Sequence, residues 1–133
     1  MSALALRQLA AQASPHRSAS LILQRLLGCQ QALQTGRLSA EAARDFLSQM
    51  HGFVVQQWDH FSAYPEDAEN PEYEEGLSWL LLGLETWQAV LEHVLDQPAQ
   101  RLAGALAASL RRSSAWEAYL EQGLESLERA AAP

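Results

Sequence analysis

The stretch from residue 71 to residue 96 constrains the fold most, because it is a long helical segment that is apolar on two sides. One broad side carries large apolar residues at helical spacing, namely Leu77, Leu80, Leu81, Leu84, Trp87 and Leu91. The roughly opposite side carries Trp79, Leu82, Thr86, Val90 and His93. A surface helix usually has one apolar stripe, so we predict that this helix is either central in a bundle or lies at an interface.

The second apolar side of this helix needs a cover, since large exposed apolar patches are rare on monomers. The cover is either another helix of the same chain, a second copy of the chain, or a protein partner. Burial stabilises each large side chain by about 1.5–3 kcal/mol in any of these arrangements, so energetics do not separate them. We therefore keep a homodimer open and take Trp79, Leu82, Val90 and His93 as candidate partner-binding residues.

The rest of the chain also has helical character. No window alternates apolar and polar residues with a period of two, and Ala, Leu, Gln, Glu and Arg dominate. A length of 133 residues suits one domain. We predict an all-α fold, a single compact bundle of five to six helices over residues 1–133, with the fourth helix at about 71–96. A short first helix at about 3–13, an acidic loop at about 64–71 and a frayed tail at 130–133 complete this prediction.

The predicted helix ends carry residues suited to them. Three predicted starts have a side chain that can serve as an N-cap, and proline follows the first and last of these: Ser14, Ser39 and Asn70. Ser114 with Glu117 three residues later matches a capping box for the last helix. Gly36 is suited to the C-terminal end of the second helix, which is predicted to run from residue 15 to residue 35.

Much of the net charge of −7 comes from residues 66–75, here called the acidic segment. It contains six acids and no Arg: Glu66, Asp67, Glu69, Glu72, Glu74 and Glu75. One interpretation is a docking site for a basic partner, because clustered charge steers association. The other is a solvated loop whose acids favour the N-terminus of the following helix.

A second row of acids lies on the last predicted helix. Glu117, Glu121 and Glu125 recur at a spacing of four residues, with Glu128 beside them. Like charges at this spacing destabilise a helix slightly. The row is interpreted either as a solvated face or as a surface that faces basic groups, which include the nearby Arg111 and Arg112.

Catalytic and metal-binding patterns do not stand out in the sequence. The four His form neither Glu-x-x-His nor His-x-x-x-His. Cys29 lies among leucines, where a thiol is unreactive. No glycine-rich phosphate loop or nucleophile elbow occurs. We predict no enzyme activity, no metal and no cofactor.

The charge and hydropathy of the sequence limit the classes of partner that we expect. All nine basic residues are Arg, and none forms a basic patch beyond the Arg111–Arg112 pair, which argues against a nucleic-acid partner. The arginine bias suggests a bacterial origin. The longest apolar run, residues 77–84, is far shorter than the roughly 20 residues of a membrane span. We expect a cytoplasmic protein.

These observations favour a small interaction protein over an enzyme. The predicted function is binding of a protein partner through helical surfaces and the acidic loop, as an adaptor, secretion chaperone, regulator or toxin-immunity protein does. The alternative is a small-molecule or cofactor-binding bundle in which Trp58, Trp79 and Trp87 line a cavity.

Overall fold

Five α-helices and the short loops between them make up residues 20–132, the part of the chain that the computed structural model describes. They are α1 Leu21–Gln34, α2 Ala40–Ser62, α3 Pro71–Leu95, α4 Ala99–Arg111 and α5 Ser114–Ala131. The all-helical prediction is confirmed for these residues, and the predicted fourth helix is α3. The helix predicted at about 3–13 and its boundary at Ser14 and Pro15 lie outside the described residues.

The N-terminus of α1 lies later than predicted. Ser20 has extended backbone angles, φ −69° and ψ 165°, and its hydroxyl accepts a hydrogen bond from the N–H of Leu23 over 3.1 Å. A continuous helix from residue 15 to residue 35 is therefore wrong at its start. Ser20 satisfies one of the free N–H groups of the first turn, and the helix begins immediately after it.

The other predicted boundaries in this half of the chain are confirmed. Gly36 has a φ of 73° and follows α1, while the N–H of Arg37 donates to the carbonyl of Ala32 over 2.9 Å, as in a Schellman motif. Ser39 accepts from the N–H of Ala42 over 3.1 Å at the start of α2. Asn70 accepts from the N–H of Tyr73 over 3.2 Å at the start of α3.

Helix α3 is central, as one of the two predicted arrangements requires. It packs against α2, α4 and α5, while α1 packs against α2 and α4. Its inner side is the predicted broad face, on which Trp87 and Leu91 are fully buried. Arg44 of α2 fixes the C-terminal end of α3, because its guanidinium donates to the carbonyls of Leu95 and Gln97 over 2.6 and 2.7 Å.

Glycines allow α3 and α5 to approach each other closely. A Cβ atom added at Gly123 of α5 would lie 2.7 Å from the backbone nitrogen of Leu80 and 2.8 Å from the carbonyl oxygen of Gly76. A Cβ atom at Gly76 would meet the Cγ of Leu127 at 2.9 Å. The two helix backbones are thus in direct contact, and any side chain larger than hydrogen at these positions would force them apart.

The capping box predicted at the start of α5 is wrong. Ser113, not Ser114, precedes the helix, its backbone angles are helical, and its hydroxyl donates to the carbonyl of Leu110 over 2.7 Å. Glu117 does not turn back to the helix start. Its side chain turns into the bundle, where the residue is only 8% exposed.

Glu117 instead binds three donors from outside its own helix. Its Oε2 accepts from the indole N–H of Trp87 over 3.0 Å and from the hydroxyl of Ser20 over 2.7 Å. Its Oε1 accepts from the backbone N–H of Ser20 over 2.6 Å. The predicted row of acids is therefore not uniformly solvated, since Glu117 is buried, Glu121 is exposed, and Glu125 and Glu128 are half-buried.

Candidate interaction surface

The side of α3 that faces away from the core carries a patch formed by Trp79, Leu82 and Tyr119, here called the aromatic patch. Trp79 is half-buried because its ring packs against Tyr119 of α5, with ring centroids 5.4 Å apart and an interplanar angle of 33°. Leu82, almost one helical turn further along α3, is 41% exposed. Leu82 is one of two exposed large apolar residues within residues 20–132, so part of the patch is an open apolar surface.

The four residues predicted on the second side of α3 differ in their surroundings. Trp79 and Leu82 belong to the aromatic patch. Val90 is half-buried against the hydrophobic core, and His93 is exposed. Val90 and His93 line a separate groove between α3 and α4. The second apolar side is thus covered in part by α4 and α5 and in part left open.

The acidic segment is joined directly to the aromatic patch. The indole N–H of Trp79 donates to the carboxylate of Glu75 over 3.3 Å, within α3. This bond holds a carboxylate at the edge of the apolar surface. A partner that covers Leu82 would therefore meet negative charge at the same place.

Two acids of the segment build the loop that precedes α3. The carboxylate of Glu74 accepts a hydrogen bond from the backbone N–H of Asp67. The carboxylate of Asp67 accepts from the N–H of Glu69 over 3.2 Å. Tyr73 adds a bond from its hydroxyl to the carbonyl of Pro65 over 3.0 Å. These contacts give the loop a defined shape, so Asp67 and Glu74 have a structural role.

The remaining acids of the segment differ in their partners. Glu72 forms an exposed ion pair with Arg129 of α5, with 3.4 Å between the carboxylate oxygen and Nε. Glu66 and Glu69 are exposed, and their carboxylates have no hydrogen-bond or ionic partner in the described part of the chain. Glu66 and Glu69 are the two acids of the segment whose negative charge is free to act on another molecule.

A second acidic surface is a groove of about 400 Å³ between α2 and α3. Sequence reasoning named Trp58 as a cavity residue but did not identify the acids beside it. Trp58 lines the groove, and the indole N–H of Trp58 donates to Glu85 over 3.1 Å. Glu92 lies 3.1 Å from the Nε2 of His51. Hydrogen bonds from His51 and Gln88 hold the pKa of the Glu92 carboxyl below its usual value. The lining residues of the groove recur at helical spacing within each helix, but the sequence alone does not show that these two helix faces meet.

The other side chains considered for chemistry, Cys29 and Trp87, are buried and belong to neither of these surfaces. Cys29 is buried in the core, and burial raises the pKa of its thiol, which disfavours the reactive thiolate. Trp87 is fully buried and bonded to Glu117, so it lines no open cavity. Over residues 20–132, no group of three or more His, Cys, Asp or Glu side chains is arranged to hold a metal ion.

No family model, curated protein or solved structure matches this chain. Of the helices in the described range, none has the length and hydropathy needed to cross a membrane.

Proposed function

We propose that this protein is a non-enzymatic interaction module that binds a protein partner with a basic surface. The aromatic patch supplies the apolar contact, and the acidic segment supplies the complementary charge. A protein with this activity would act as an adaptor, secretion chaperone, regulator or toxin-immunity protein. We also propose that the protein acts in the bacterial cytoplasm.

The observation that carries the proposal is the hydrogen bond from Trp79 to Glu75. It links the half-buried Trp79, and with it the exposed Leu82, to the carboxylates at the start of α3. Aromatic side chains at the centre of a patch and charges at its rim are the usual composition of a protein-binding surface. Neither Trp79 nor Leu82 belongs to the hydrophobic core or packs against it, and Leu82 is 41% exposed.

The charge of the surface argues for a basic partner. The chain has a formal net charge of −7, and six acids lie in the ten residues of the acidic segment. Opposite charge on a partner raises the rate of encounter and selects against acidic competitors. The free carboxylates of Glu66 and Glu69 are placed to provide this effect without loss of the loop structure.

The buried carboxyl group of Glu117 is not arranged as a catalytic acid or base. Glu117 is the most buried carboxylate among the described residues, and both of its oxygens already accept hydrogen bonds, from Ser20 and Trp87. A general acid or base needs a free oxygen facing its substrate. We therefore infer that Glu117 stabilises the fold and that binding takes place at the surface.

The test uses two exposed leucines as a matched pair. Leu82 of α3 is 41% exposed and Leu27 of α1 is 45% exposed. Wild type, Leu82→Asp and Leu27→Asp are tagged and recovered from the native host, and the bound proteins are quantified by mass spectrometry. We expect a basic protein that is recovered with wild type and Leu27→Asp and lost with Leu82→Asp. Isothermal titration calorimetry of the purified protein with the purified partner then gives the dissociation constant.

Two outcomes would contradict the proposal. One is that no protein depends on Leu82 for its recovery. The other is a homodimer in multi-angle light scattering that Leu82→Asp converts to a monomer, since the patch would then be covered by a second copy of the chain. Circular dichroism of both variants checks that each remains helical.

A further inference from the structure

The groove between α3 and α4 has the size and lining of a small-molecule site. It is an open groove with a volume of about 380 Å³, within the range of about 300–1,000 Å³ usual for ligand pockets. Its walls are mainly small apolar side chains, contributed by Ala89 and Val90 of α3 and by Ala105 and Ala108 of α4. Trp116, at the start of α5, also lines it. This groove is separate from the aromatic patch.

Several hydrogen-bond donors around the groove lack an acceptor. Trp116 is 9% exposed, and its buried indole N–H has no hydrogen-bond partner. The guanidinium of Arg112 and the hydroxyl of Ser109 form no hydrogen bond or ion pair with the described residues. The exposed imidazole of His93 adds a further polar group to the lining. Buried donors are nearly always paired in proteins, so the buried indole N–H of Trp116 indicates an acceptor that comes from outside the chain. Arg112 and His93 are exposed and Ser109 is half-buried, so their polar groups remain accessible to the same ligand.

The charge of the groove differs from that of the rest of the chain. Among the described residues that line it, none carries a carboxylate, and Arg112 supplies a positive charge. The chain as a whole has a formal net charge of −7. An anionic ligand would be repelled by most of this protein, but here it would meet an arginine and unpaired donors over an apolar floor.

We propose that this groove binds an apolar monocarboxylate. The carboxylate lies at the α4–α5 junction, where Ser109, Arg112 and Trp116 supply donors, and the hydrocarbon body lies against the alanines and Val90. A guanidinium bound to a carboxylate forms a strong charge-assisted pair, which sets the preference for an acid over an alcohol of the same length. The site is independent of the proposed protein partner.

The test is a titration of the full-length, ¹⁵N-labelled protein with octanoate, followed by NMR of the tryptophan indole N–H signals. The spectrum of Trp116→Phe assigns the Trp116 signal. Octanol serves as the uncharged ligand of equal length, and acetate as the acid without a hydrocarbon body. Arg112→Gln is compared with Arg111→Gln, because Arg111 is also exposed near the end of α4 but does not line the groove.

We expect octanoate to shift the Trp116 signal in a saturable way and to bind about tenfold more weakly to Arg112→Gln. Arg111→Gln should bind within about twofold of wild type, and octanol and acetate should bind much more weakly. Equal affinity for octanol and octanoate, equal losses in the two arginine variants, or an unshifted Trp116 signal would each overturn the proposal. None of these results bears on binding of a protein at the aromatic patch.

Discussion

The indole N–H of Trp87 donates to the carboxylate of Glu117 over 3.0 Å in the interior of the bundle. The same carboxylate receives the backbone N–H and the hydroxyl of Ser20, the N-cap of α1. One acid of α5 thus links the central helix to the start of α1. The chain can bury this acid because three donors satisfy its oxygens.

Replacing Glu117 by Gln should destabilise the protein by about 1–3 kcal/mol, because the new amide N–H₂ would face donors and leave at least one of them unpaired. Urea denaturation followed by tryptophan fluorescence measures the change. Glu121→Gln, one turn later on an exposed part of α5, should change the free energy of unfolding by less than about 0.5 kcal/mol. Equal effects of the two substitutions would show that the buried hydrogen bonds contribute nothing specific.

Gly123→Ala should destabilise the protein by about 1–3 kcal/mol or more, because the new methyl group would lie 2.7 Å from the backbone nitrogen of Leu80. Gly104→Ala is the matched control in α4. A Cβ atom at Gly104 meets nothing within 4 Å, so this change should stabilise the helix by about 0.5–1 kcal/mol. Thermal unfolding of the two variants should therefore shift in opposite directions. A shift of the same sign in both would contradict direct contact between α3 and α5.

Glu92 should titrate below its usual range, since hydrogen bonds from His51 and Gln88 lower the pKa of its carboxyl. A lowered pKa in the folded state means that the ionised form favours folding. This contribution is complete above the unfolded pKa of about 4.3 and is lost as the pH falls through the folded pKa. Carbon-13 NMR of the Glu92 carboxyl measures the value directly.

His51→Ala should move the pKa of Glu92 upward, toward that of an unperturbed glutamate. His60→Ala serves as the control, because His60 lies near Tyr64 at the end of the same helix and does not contact Glu92. If Glu92 titrates identically in wild type and His51→Ala, the bond between these two side chains does not form in solution.

Glu66→Gln combined with Glu69→Gln should weaken binding of the basic partner by several-fold at low salt and much less at about 0.5 M salt, where charges are screened beyond a few ångströms. Glu41→Gln with Asp45→Asn removes the same charge from an exposed part of α2 and should have a smaller effect. Surface plasmon resonance at both salt concentrations measures the association and dissociation rates separately. An unchanged association rate at low salt would show that the charges of Glu66 and Glu69 do not contribute to binding.

The helices could be predicted from the sequence because their signals are local. Ser39, Asn70 and Gly36 act through hydrogen bonds or backbone angles within a few residues of themselves, so their types indicate the helix ends. The two apolar sides of α3 predicted a helix that is either central or at an interface, and the helix contacts show that it is central. These predictions depend on residues within one helix or its ends and not on contacts with other helices.

The start of α5 shows where local signals fail. Ser114 and Glu117 have the spacing of a capping box, but Glu117 binds Trp87 and Ser20, which lie 30 and 97 residues away along the chain. The tertiary contact outweighs the local one because it pairs buried donors.

The candidate site was predictable only in part. The six acids of the acidic segment stood out by composition, but their separate roles depend on loop hydrogen bonds that no spacing reveals. Similarly, the stacking of Trp79 on Tyr119 joins two helices that are distant in sequence. The unpaired indole N–H of Trp116 also arises only in the folded chain, since an exposed tryptophan would bind water.

The contact of Gly76 with Gly123 has a consequence for recognition. Because the α3 and α5 backbones touch there, the two helices cannot slide past each other without a clash. Trp79 on one helix and Tyr119 on the other are therefore held in a fixed relative position before any partner arrives. A surface that is already ordered loses little conformational entropy on binding, so the glycines inside the bundle can strengthen an interface that they never touch.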